Sequence, residues 1–108
     1  MNHGLPPETV AAIGGVFARH PEVDKALLYG SRAKGNYKRG SDIDLTLLGA
    51  RLDLRDLMHL ADELDDLLLP YTIDLSLHSQ LENPALLDHI QRVGKVFYQA
   101  EPEVAIRQ

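Results

Sequence analysis

Two segments of the chain alternate strictly between apolar and polar side chains. "DIDLTLLG" sets Ile43, Leu45 and Leu47 on one face and Asp42, Asp44 and Thr46 on the other, and "YTIDLSLHS" sets Ile73, Leu75 and Leu77 opposite Asp74, Ser76 and His78. Period-two alternation predicts half-buried strands. A third apolar run, "EVDKALLYG", predicts a short strand ending at Gly30, and "KVFYQ" a short edge strand near the C-terminus. Between these the spacing changes to three and four. "PPETVAAIGGVFARH" predicts a first helix with Val10, Ile13, Val16 and Phe17 on one face, against the weakening effect of Gly14 and Gly15. Asp53 is placed to N-cap a long helix running to about Leu69 and stopped by Pro70, with an apolar stripe of Leu54, Leu57, Met58, Ala61, Leu64 and Leu68. Asn83 and Pro84 open a last helix to about Val93, which Gly94 ends.

The segment from Ser31 to Gly35 has room for one helical turn, and "NYKRGS" is a loop. Helices and strands then alternate through the chain. This order predicts an α/β (α+β) fold, a mixed sheet with helices packed on one side and the other face left for a site. One domain spans residues 1–108, with its core over about 7–98 and a loosely ordered tail from 100 to 108.

Composition narrows the class without choosing a function. The chain has 108 residues, 44% of them hydrophobic and 25% charged, which suits a soluble globular domain. Absence of cysteine excludes disulfides and thiolate chemistry and fits a reducing, cytoplasmic setting. "MNHGLPPETV" lacks the layout of a secretory signal, and no apolar run has the length of a membrane span. A net charge of −5 argues against broad, stable nucleic-acid binding but permits a local basic patch.

Such a patch exists, in "YGSRAKGNYKRGSDIDLTLLG". Four of the eleven Lys and Arg residues fall between positions 32 and 39, immediately before two aspartates. On a strand, Asp42 and Asp44 project from one face about 6–7 Å apart, where like charges repel. A hard divalent cation reverses that sign, and magnesium or manganese suits carboxylate oxygens better than zinc does. Asp74 stands on the polar face of a later strand. With the two strands adjacent, three carboxylates converge and can hold two ions at the ~3.5–4 Å spacing used in phosphoryl transfer. Gly30 permits a tight turn, Ser31 and neighbouring backbone N–H groups can donate to phosphate, and Lys34, with Arg32, Lys38 and Arg39, can neutralise a triphosphate.

Gly30-Ser31, ten intervening residues, then Asp42-Ile43-Asp44 resembles the GSx10DxD signature of the DNA polymerase β-like nucleotidyltransferase superfamily. With so short a chain, the resemblance is to the minimal nucleotidyltransferases (MNT), the MntA-like antitoxins of HEPN/MNT toxin–antitoxin modules, over roughly Val10 to Tyr98. It implies that Gly30 and Ser31 grip the nucleotide phosphates, and that Asp42, Asp44 and Asp74 bind Mg²⁺, two ions with Mn²⁺ as the alternative. Asp74 would also serve as general base. Lys34 and Arg39 are carried as further nucleotide-binding candidates. It further implies ATP as substrate and AMPylation of a tyrosine on a HEPN-domain toxin held in a hetero-oligomer. Larger relatives carry an added helical domain for the acceptor, so here a partner protein would hold it.

Plainer readings stand beside these. Lys38 and Arg39 read as ordinary loop cations, and Ser31 as the cap of a helical turn. His20, His59 and His89 lack metal-ligand spacing and read as surface or boundary residues, whereas His78 shares a face with Asp74. The leucine excess, including Leu60 and Leu67 off the stripe, reads as core or as an interface for a partner or a second copy. The competing functions are an antitoxin acting by binding alone and a small-molecule nucleotidyltransferase.

Overall fold

A computed structural model describes residues 3–101. Helix α1 (Pro7–Ala18) leads into strand β1 (Lys25–Tyr29), the single-turn helix α2 (Ser31–Lys34) and strand β2 (Ile43–Leu48). Helix α3 (Leu54–Asp65), strand β3 (Ile73–Leu77), a 3-10 turn (His78–Gln80), helix α4 (Pro84–Val93) and strand β4 (Lys95–Gln99) complete the order. All elements expected from the sequence are present. His78 is the exception in register, since the strand ends at Leu77 and its imidazole belongs to the following turn. Most of the expected tail lies outside the described residues.

The four strands form one mixed sheet in the order β3-β2-β1-β4. Strand β1 runs antiparallel to both β2 and β4, whereas β2 and β3 are parallel. The register joins the apolar faces of the strands: Leu28 pairs with Leu45 and Ala26 with Leu47, and all four are essentially inaccessible to water. Against this face α1 packs Ile13, Val16 and Phe17, and α3 packs Leu60 and Leu64, giving one continuous core. Burying side chains of this size is the main stabilising term of the fold.

The expectation that helices share one side holds for α1 and α3, and α4 departs from it. Ile90 is buried outside the main core cluster, and His89 meets the Tyr29 ring edge-on at 6.3 Å. Tyr29 and Leu27 point away from Ala26 and Leu28, so α4 lies over β1 on the opposite face and leaves β2 and β3 open there.

The α3 stripe also needs correction. Leu54, Met58 and Leu68 are exposed (54%, 67% and 87%), whereas Leu60 is fully buried and Leu67 packs on the core. Leucines cover an apolar arc wider than one sheet contact needs, so periodicity alone cannot choose which half turns inward. The helix also stops at Asp65, short of Pro70, and Leu68 takes a left-handed φ of 55° in the turn that follows. Its start is as expected: the Asp53 carboxylate accepts from the Asp56 N–H and the Asp56 carboxylate from the Asp53 N–H. Among the described residues no helix is long and apolar enough to cross a membrane.

At the far end of α1, Glu63 of α3 bonds His20 (2.6 Å) and Arg19 (3.1 Å). The His20 hydrogen bond, supported by Arg19, holds the Glu63 carboxyl below its ordinary range. A depressed carboxyl pKa stabilises the fold above the unfolded-chain value and loses that contribution as pH falls through the folded one. Glu63→Gln should therefore lower the melting temperature at pH 7, and the gap to wild type should close below about pH 4. Melting curves across that range check it; an equal gap at pH 3 would contradict the assignment.

Candidate active site

The site is built where β1 ends. Gly30 has φ +76° and ψ −157°, a conformation side chains rarely adopt, and it turns the chain from the sheet into α2. A Cβ on Gly30 would collide with the Asp44 carboxylate. The glycine is thus required twice, by its backbone and by the acid lying against it.

Asp44 owes its position to pairing. It faces Tyr29 across the antiparallel β1–β2 ladder and Asp74 across the parallel β2–β3 ladder. Strand neighbours lie about 4.8 Å apart, so Asp44 and Asp74 stand side by side on the open face. Asp42 precedes β2 by one residue and is exposed, as is Asp74, whereas Asp44 is half-buried. Burial pushes the Asp44 carboxyl above its ordinary range, and the charges of Asp74 and Asp42 push it further, against an opposing pull from His89. Burial likewise raises the Tyr29 hydroxyl, with Asp74 and Asp44 adding to it and a hydrogen bond with Ser76 opposing. Two rungs along and on the same face, Ser76 Oγ donates to Thr46 Oγ1 at 2.9 Å, tying β3 to β2 beside the acids.

The acids are thus neighbours in charge and in register. Among the described residues, no three His, Asp or Glu side chains close on a single point that would hold a metal ion as they stand. The donor set nonetheless suits a hard cation: it is all oxygen, open to solvent, and its repulsion is relieved by a positive ion.

Of the candidate phosphate ligands, Gly30 and Ser31 form the corner, and Gly30 lies against Asp44. Lys34 and Arg39 are exposed, on α2 and on the loop, and among the described residues neither forms an ion pair with the acids. Arg32 is a correction. Expected among the phosphate-neutralising cations, it is 2% exposed and its guanidinium is committed to backbone carbonyls.

Two residues enter the site that sequence reading left out. Tyr29 is buried beneath it. His89 takes a hydrogen bond from the Gly30 N–H at its Nε2 (3.0 Å), which ties α4 to the glycine corner. Spacing along the chain gives no sign of this contact, which spans 59 positions. His78, read as sharing the Asp74 face, borders a groove of about 410 Å³ with Leu27 of β1 and Leu87 and Ile90 of α4, on that same side of the sheet.

Comparison with known proteins agrees with this geometry. A family model described as "Polymerase beta, Nucleotidyltransferase" matches residues 12–103. No protein of curated function matches. Among solved structures, a toxin–antitoxin with AMP-PNP is 24% identical, with a TM-score of 0.66 over 90% of this chain and 76% of that one. The toxin–antitoxin MntA-HepT is 22% identical, with a TM-score of 0.63 over 88% and 74%. A tri-AMPylated Shewanella oneidensis HEPN toxin in complex with MNT antitoxin is also 22% identical, with a TM-score of 0.62 over 86% and 71%. These similarities speak for the fold. With a glycine corner, paired acids and a family match over most of its length, the chain belongs to the polymerase beta nucleotidyltransferase family.

Proposed function

We propose that this chain transfers AMP from ATP to a hydroxyl of a HEPN-type toxin and so acts as an antitoxin. The observation that carries the reading is Asp44, lodged against Gly30 and in register with Asp74 on the open face. Supporting it, structures of the same fold include one with AMP-PNP and one with an AMPylated HEPN toxin bound to an MNT antitoxin.

In this reading the Gly30-Ser31 corner donates to phosphate oxygens and sets the triphosphate against β2. Asp42, Asp44 and Asp74 would hold magnesium, or manganese, which when bound neutralises triphosphate charge and favours the leaving diphosphate. Asp74 lies on an edge strand and is exposed, so a hydroxyl presented by a partner can reach it. The hydroxyl oxygen bonds to the α-phosphorus, its proton passes to Asp74, and the bond to the β-bridging oxygen breaks to release diphosphate. Lys34 and Arg39, both exposed, would add charge at the rim.

The test is incubation with labelled ATP, Mg²⁺ and a HEPN protein encoded beside this chain. Label is expected on a partner tyrosine and on nothing when Mg²⁺ is chelated. A folded chain that leaves the partner unlabelled would overturn the transfer.

A second reading, neutralisation by binding alone, is favoured by the exposed Leu54 and Met58, one turn apart on α3. The double variant Asp42→Asn with Asp44→Asn separates the two. Loss of neutralisation at equal abundance supports transfer, and full neutralisation supports binding.

A further inference from the structure

The geometry points to Arg32 as the positioning residue that holds the two acid-bearing strand entries in place, a role distinct from phosphate binding. Arg32 Nε and Nη2 both donate to the Ser41 carbonyl, at 3.1 and 3.0 Å, and that carbonyl belongs to the peptide leading into Asp42. Its Nη1 donates to the His3 carbonyl at 2.9 Å, and Nη2 reaches the Arg39 carbonyl at 3.4 Å. The guanidinium also lies 5.2 Å from the ring centroids of both Tyr37 and Tyr71. Tyr71 precedes Thr72, whose carbonyl accepts from the Ile43 N–H where β2 and β3 begin to pair.

One buried cation therefore joins α2, the loop before Asp42 and the segment before Asp74. A planar fork fits this arrangement because two of its N–H groups can meet one carbonyl while its faces lie on aromatic rings. Lysine supplies the charge without the fork. Arginine at this position also explains why a loop of exposed residues from Gly35 to Gly40, interrupted by Tyr37, can end in a fixed Asp42.

The inference rests on the proposed metal site and is tested by two independent readouts. Arg32→Met and Arg32→Lys are compared with wild type, with Tyr71→Leu as a milder variant that keeps the guanidinium should the first pair not fold. Amide hydrogen exchange over residues 36–42 should quicken by at least about tenfold in Arg32→Met while α1 and α3 stay protected. Mn²⁺ affinity, read by titration without nucleotide, should fall about 10- to 100-fold, the range seen when a ligand loses its orienting partner. Arg32→Lys should recover part of that loss. In transfer assays kcat should fall with KM for ATP within about threefold of wild type. Unchanged exchange and Mn²⁺ affinity, or a raised KM with kcat intact, would overturn the assignment and return Arg32 to the phosphate ligands. If wild type itself binds no Mn²⁺, the metal reading fails, and the exchange experiment still decides the role of Arg32.

Discussion

Asp44→Asn is expected to reduce nucleotidyl transfer by about a hundred- to a thousandfold, the range found when a charge-stabilising group is lost, and yet to raise the melting temperature of the metal-free chain. Both effects have one cause. Asp44 is half-buried between like charges, and its carboxyl titrates above its ordinary range because of burial first and Asp74 and Asp42 second. A carboxyl with a raised folded-state pKa destabilises the fold wherever it is ionised. That penalty is complete above the folded value, and it disappears as pH falls through it, because the folded chain takes the proton first. Asp44 is only half-buried, so solvent screening keeps the effect small and the rise in melting temperature modest. Variant and wild type should converge near pH 4. Magnesium should stabilise wild type and have much less effect on the variant. Melting curves against pH and Mg²⁺, beside the transfer assay, check all three. A variant that melts lower at pH 7, or that responds fully to Mg²⁺, would show that Asp44 is not under this strain.

Gly30→Ala is the second large effect, and it should fall on activity more than on stability. The left-handed φ of Gly30 costs a side-chain-bearing residue about 1–3 kcal/mol. The added methyl also displaces the Asp44 carboxylate, the movable end of a short side chain. Transfer should drop by about a hundredfold or more, since misplacement of about 1 Å at a reacting centre is enough for that. Gly35 supplies the control. It too has positive φ, at +93°, but a Cβ there meets nothing within 4 Å. Gly35→Ala should therefore share the loss of melting temperature and keep most of the activity. Equal activity in the two variants would refute the role assigned to the Gly30–Asp44 contact.

The fold was legible wherever a local pattern had one spatial reading. Strict alternation fixes the inward faces of β2 and β3, because only one set of positions can turn toward a core. Caps at Asp53 and Asn83 mark helix starts because unsatisfied N–H groups need an acceptor at that place. On α3 the pattern had two readings, and it exposed Leu54 and Met58 while burying Leu60. The candidate site divides in the same way. Asp42 and Asp44 stood out by their period-two spacing, and Gly30 and Ser31 joined them through the resemblance to a known signature. His89 and the burial of Arg32 were not, since each depends on contacts between segments distant in the chain.

By itself, the sequence determined which side chains carry charge, which strand faces are apolar and where the chain must turn, because these follow from residue type and from the period of each element. Only the tertiary structure decided that Asp44 and Asp74 share a rung, that α4 crosses to the open face and that the Arg32 cation is enclosed. Parallel pairing, helix placement and burial are set by how whole surfaces fit against one another, and no local pattern along the chain encodes that fit.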